Sequence, residues 1–224
     1  MPASFLGLPA ELRNEIYMYL LVRTEPIDPW SSDNSLVPNI LYTNTKILHE
    51  ARSLLYGDNC FDFSGSTPKL ITQFLDEIGF ANASHIRCIR IDFPGLRGLN
   101  EKPSLEVDSL DIPEKTQCHC TNLNKFIIAP ESTDTMERHF GSLESPNICA
   151  NALALVDARF REISSLQDIV VEVYGKVSSS DMRKKMKSHG WILNVVEEED
   201  GFENDEYLCQ YDSDYLCQYD SDYY

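Results

Sequence analysis

The chain reads as an α/β protein with a mainly parallel sheet, preceded by a pair of short helices. Three observations carry this expectation. Segments with apolar residues at three- and four-residue steps alternate with segments whose apolar residues occupy every second position. The connections between the strand-like segments are too long for hairpins, which makes neighbouring strands parallel. Ahead of the first strand stand two short amphipathic stretches, Phe5 to Leu21 and Ile40 to Gly57.

In the first stretch Pro9 is expected at the initial helical position, where its missing N–H costs nothing, and Glu11 in the first turn complements the helix dipole. Leu8, Leu12, Ile16, Tyr19 and Leu20 form one apolar stripe, with Arg13 and Asn14 expected on the opposite side. A helix of about twelve residues is marginal alone and depends on packing against something else. The stripe is therefore the buried or partner-facing side. A loop from Val22 to Pro38 follows, and a second helix is expected from about Leu41 to Leu55, stopping at Gly57.

Beyond Gly57 the pattern changes. Cys60 to Phe63 reads as a strand, and Thr67-Pro68 opens a helix carrying Leu70, Ile71, Phe74, Leu75 and Ile78 up to Gly79. In Ile86 to Phe93, Ile89, Ile91 and Phe93 alternate with Arg90 and Asp92, giving a strand with one face buried. Phe126-Ile127-Ile128 reads as a further strand. Ile148 to Ile163 forms a helix leading into a strand at Ile169, Val171 and Val173. Ser180 caps a helix with Met182 and Met186, and Trp191 to Val196 makes a last strand. The spacings Ile86-x-x-Ile89-x-Ile91 and Leu166-x-x-Ile169-x-Val171 resemble the strand pattern of leucine-rich repeats, which any parallel α/β sheet also produces. Three regions follow: a helical segment over 1–57, an α/β body over 58–198, and an acidic tail over 199–224. Within the body, 95–122 is poor in large apolar residues and reads as a mobile surface insertion.

Composition excludes several function classes. The 224 residues carry a formal charge of -17, with eleven acids and no Lys or Arg from Glu197 onward. Nucleic-acid binding needs a basic face, and the one dense basic run, Arg183-Lys184-Lys185 with Lys187, reads as a solvated helix face. No stretch approaches the roughly 18 apolar residues of a membrane span, and the N-terminus lacks the layout of a secretory signal. An intracellular location, cytoplasm or nucleus, is expected. The seven scattered cysteines are a poor disulfide framework and read as reduced thiols.

Candidate chemistry is sparse. Cys118-His119-Cys120 offers zinc-ligand types, but adjacent side chains of an extended chain point to opposite sides, so the three read as incidental loop residues. His49-Glu50 lacks the second histidine of a metalloprotease helix, and no nucleophile-elbow or phosphate-loop motif occurs. Glu11 and Glu15 read as solvated. No catalytic residue, metal or cofactor is expected, and the chain reads as a non-enzymatic interaction protein.

Leu8-Pro9-Ala10-Glu11-Leu12 through Ile16 and Tyr19-Leu20-Leu21, taken with Glu50-Ala51 to Leu54-Leu55-Tyr56-Gly57-Asp58-Asn59-Cys60-Phe61, resembles the fungal F-box-like proteins. The similarity covers roughly residues 5–93 and includes Asn82 to Arg87; Asn44-Thr45 stands where that group usually has Cys-Arg. It implies F-box-like helices ahead of the α/β body and a substrate-recruiting adaptor of a cullin-RING ubiquitin ligase. Its partners would be the ligase adaptor subunit and an unidentified protein substrate. By position, Leu8, Pro9, Leu12, Ile16 and Leu20 would be the docking side chains. The alternative is a structural or regulatory binding protein without a ligase role, in which the two helices merely cap the α/β core.

The tail duplicates Tyr207 to Asp214 in full as Tyr215 to Asp222. Tyrosines four residues apart would form an aromatic stripe if the tail became helical; otherwise it is a disordered low-complexity segment. The expected result of deleting Glu206 to Tyr224 is unchanged partner recovery in affinity capture. Loss of a partner would instead assign the stripe a docking role.

Overall fold

The computed structural model describes residues 4–31, 36–99, 103–106, 112, 116–142, 146–175 and 180–197. It is a mixed α/β structure built on a five-stranded parallel sheet. Helix α1 spans Ala10–Leu21, a 3-10 turn spans Pro38–Tyr42, and α2 spans Thr45–Gly57. The expected second helix is thus broken. Asn44 caps α2, its side chain accepting from the Lys46 N–H at 2.8 Å, so the chain must leave helical geometry just before it. Pro9 likewise precedes α1 as its N-cap residue instead of opening it.

The body runs β1 (Cys60–Asp62), α3 (Pro68–Ile78), α4 (Phe80–Ala83), β2 (Cys88–Ile91), β3 (Leu96–Arg97), β4 (Ser104–Leu105) and β5 (Lys125–Ile128). It continues through α5 (Pro130–Gly141), α6 (Pro146–Phe160), β6 (Asp168–Tyr174), α7 (Ser180–Ser188) and β7 (Ile192–Val196). The main sheet has the order β1-β2-β5-β6-β7 with every neighbouring pair parallel, and β3 and β4 form a separate antiparallel pair. Strands therefore lie side by side in chain order. Ile27 adds a single parallel bridge to Phe61 at the β1 edge.

The helices cover one face of this sheet. Phe61, Ile89, Ile91, Phe126, Ile128, Ile169, Val171 and Val173 point into a single core. Ile71 and Leu75 of α3, Phe140 of α5, Leu153 and Val156 of α6, and Met182 and Met186 of α7 meet them there. Helix α3 has the form its periodicity predicts. Thr67 caps it, Pro68 opens it, and Gly79 at φ +74° ends it in a conformation that favours glycine. The segment 95–122, expected at the surface, contributes Leu99 and Cys120 to the core and buries Thr116, with residues 116–119 helical. Helix α5 has no counterpart in the apolar pattern, because its buried positions include Thr133 and Glu137. Among the described residues no helix is long and apolar enough to cross a membrane.

A second, smaller core joins α1 to α2. Tyr17 and Leu21 pack with Leu41, Ile47, Ala51 and Leu55, and Leu36 and Tyr56 touch both cores. The junction to the body is Asn59, which is 1% exposed. Its amide donates to the carbonyls of Leu21 and Leu55, both at 2.7 Å, and its side-chain oxygen accepts from the Arg23 N–H at 2.7 Å. Two helix ends and the loop between them thereby converge on one side chain. Gly57 lets this happen at close quarters, since a Cβ there would lie 3.3 Å from the His85 carbonyl oxygen.

Replacing Asn59 by Ala would leave two buried carbonyls and one N–H without partners and should cost about 3 kcal/mol. A lower urea midpoint at unchanged m-value checks this. Asn59→Asp should be no better, because a carboxylate would face the two carbonyl oxygens.

Candidate interaction site

The rotation of α1 is set by a charged side chain. Arg13 points inward, 5% exposed, and holds Glu50 of α2 through Nη2 to Oε1 at 2.6 Å and Nε to Oε2 at 2.9 Å. Its Nη1 donates to the Leu8 carbonyl at 2.5 Å, and the Tyr17 hydroxyl donates to Glu50 Oε2 at 3.1 Å. A forked guanidinium–carboxylate pair is directional as well as charged, so it selects one helix rotation. Hydrogen bonding to Arg13 holds the Glu50 carboxyl below its ordinary range, and the Tyr17 hydroxyl is pushed up by burial. Phe5 adds an edge-on contact to the Tyr17 ring at 5.7 Å.

The inner line of α1 is therefore Arg13, Tyr17 and Leu21. Arg13 is not on the solvent side, where the apolar pattern puts it. The predicted docking residues divide. Pro9, Leu12 and Ile16 lie outside, Leu12 being 46% and Ile16 36% exposed, and Tyr19 continues their line at 82%. Leu8 is half-buried, and Leu20 is half-buried against the small core. Successive residues at i, i+4 and i+7 share a helix face, so Leu12, Ile16 and Tyr19 form one uncovered apolar strip. Sequence reasoning missed Arg13, Tyr17 and Glu50 as the determinants of this geometry. Their signal was the four-residue spacing of Arg13, Tyr17 and Leu21, a second stripe beside the apolar one.

The other candidates lie apart from this strip. Cys118 is exposed while Cys120 is buried, its thiol pushed up to about 12 by burial, and the His119 ring lies 3.2 Å from Asp76. Among the described residues no group of three or more His, Cys, Asp or Glu is placed to hold a metal ion. His49, Glu11 and Glu15 are exposed. In the basic run, Arg183 is bound to Glu137 of α5 at 2.7 and 2.9 Å, a carboxylate 2% exposed, so this cation belongs to the structure and not to a solvated face. The duplicated tail lies outside the described residues.

Among the described residues, the face of the sheet opposite the helices is the second surface of note. Side chains of alternate residues point there: Cys60 and Asp62 of β1, Cys88 and Arg90 of β2, Lys125 and Ile127 of β5, and Asp168, Val170 and Glu172 of β6. Arg90 crosses the strands, pairing with Asp62 at 2.6 Å and Glu172 at 3.0 Å. Comparison with known proteins adds no relative: no family model, curated protein or solved structure matches the chain.

Glu50 makes the seating of α1 sensitive to pH. Its folded pKa is depressed, so the stability it contributes is present above the unfolded carboxylate range and is lost as pH falls through the lower folded value. Between about pH 5 and pH 3 the urea midpoint of the wild type should therefore fall further than that of Glu50→Gln. Parallel curves would show that the pair does not hold the helix.

Proposed function

We propose that the chain is a non-enzymatic protein-interaction module, acting as an F-box-like substrate-recruiting adaptor of a cullin-RING ubiquitin ligase. The supporting observation is the uncovered apolar strip of α1. Pro9, Leu12 and Ile16 remain outside although the helix is firmly seated through Arg13, Tyr17 and Leu21. A helix whose inner face is already satisfied has its outer apolar face free for a groove on a partner, and a few such residues dominate binding. Leu8 and Leu20 flank the strip and contribute their accessible edges. The α/β body then carries the protein substrate. Intracellular location, in cytoplasm or nucleus, belongs to the same reading.

The capping reading draws on the Asn59 junction, which ties both helices to the body. It offers no role for Leu12 and Ile16, which such a cap would cover.

Affinity capture separates the two. Leu12→Glu plus Ile16→Glu should lower recovery of the ligase adaptor subunit by at least about tenfold while circular dichroism stays unchanged, because both side chains are outside the cores. Absence of that subunit from wild-type and variant captures alike would overturn the adaptor reading.

A further inference from the structure

Cys60 and Cys88 face each other across β1 and β2, in direct register. Their sulfurs are 2.7 Å apart. Both are half-buried and, among the described residues, lie on the face of the sheet opposite the helical core. Directly opposed residues on neighbouring strands are about 4.8 Å apart at Cα, inside the range a disulfide spans. Lys125 of β5 is the next residue in the same row, in register with Cys88.

We propose that Cys60 and Cys88 form a modification site, a cross-strand dithiol that hydrogen peroxide converts to a disulfide tying β1 to β2. The proposal is independent of docking through α1.

The row distinguishes the two sulfurs. Either thiol has the geometry to donate to the other, but the Lys125 ammonium beside Cys88 favours negative charge there. The hydrogen bond the two sulfurs share lowers the Cys88 pKa, with Lys125 adding to it, while the same hydrogen bond and burial raise that of Cys60. Cys88 is the attacking sulfur. Its thiolate takes one peroxide oxygen as the O–O bond breaks, giving a sulfenic acid, and the departing hydroxide leaves as water after taking up a proton. Cys60, as thiolate, then attacks the Cys88 sulfur, and the sulfenic oxygen leaves as a second water carrying the Cys60 proton. Two thiols lose two electrons, and one peroxide becomes two waters. A dithiol reductant reverses the bond by exchange. The remaining described cysteines lack this combination: Cys120 and Cys149 are buried with raised pKa values, and Cys118 lies at the surface away from the row.

The bond would form one residue beyond Asn59, so oxidation would tighten the edge of the sheet to which both N-terminal helices are fastened.

The test is peroxide titration of the full chain, quenched by alkylation, digested with trypsin without reduction and read by mass spectrometry. The expected product joins the peptide Ser53–Lys69 to Cys88–Arg90, about 2 Da lighter than the two thiol peptides together, and dithiothreitol removes it. Cys118→Ser should leave this product unchanged. Cys60→Ser should abolish it and leave Cys88 as a sulfinic acid or open to added thiol. Recovery of Cys60 and Cys88 both alkylated while peroxide is consumed at other cysteines would overturn the proposal, as would a cross-link that joins either one to a different cysteine in the wild type.

Discussion

The buried carboxamide of Asn59 is the constraint on which the rest of the structure depends. The carbonyls near the end of an α-helix have no partner within it, and both α1 and α2 end in the interior beside β1. Asn59 supplies a donor to each and accepts the N–H of Arg23, so one side chain satisfies three backbone groups that burial would otherwise penalise. The next residue begins β1, and Phe61 after it enters the main core. The geometry of the helix pair is thus transmitted to the sheet through a few covalently consecutive residues. Gly57 belongs to the same arrangement, because the chain must pass the His85 carbonyl closely to bring Asn59 into place. This gives a physical reason for the Tyr-Gly-x-Asn-x-Phe stretch at Tyr56 to Phe61: a close approach, a clamp, and a core anchor in sequence.

The sheet follows from that starting edge. Its strands succeed one another in chain order, and the connecting helices gather on one face, so the two faces differ in chemistry. The covered face is apolar. The open face carries a cross-strand ion-pair network centred on Arg90, next to a row of Cys60, Cys88, Lys125 and Asp168. Period-two alternation in β2 and β6 encodes much of this difference, with Ile89, Ile91, Ile169, Val171 and Val173 inward and Arg90, Asp168 and Glu172 outward beside Cys88 and Val170.

How much was legible from the residues alone depended on whether burial was apolar. Helix α3 was readable from end to end, because its cap, its stripe and its terminal glycine all pointed to one answer. The five strands of the main sheet were readable from their apolar positions, whereas β3 and β4, within 95–122, were not. Helix α5 was not, since Thr133 is satisfied by the Ala129 carbonyl and Glu137 by Arg183, and neither registers as core by hydrophobicity. Its remaining signals were Pro130 at the start, Glu131 in the first turn, and Arg138 and His139 in the last. The candidate site was legible in part. Leu8, Leu12, Ile16, Tyr19 and Leu20 stood out as a stripe, but an amphipathic pattern does not say which of two neighbouring faces the chain will cover.

That choice rests on the difference between apolar and ionic contacts. Burial of Leu12 and Ile16 is favourable wherever they meet apolar surface, and it imposes little direction. The Arg13–Glu50 pair is satisfied only when guanidinium and carboxylate are forked together, and Tyr17 reinforces that one orientation. Turning α1 to bury the stripe would carry Arg13 and Tyr17 together away from Glu50 and leave the carboxylate beside the small core without either of these partners. The directional contact therefore decides the rotation, and the non-directional one is left outward. The ion pair thus leaves α1 with a seated inner face and an apolar strip outside it.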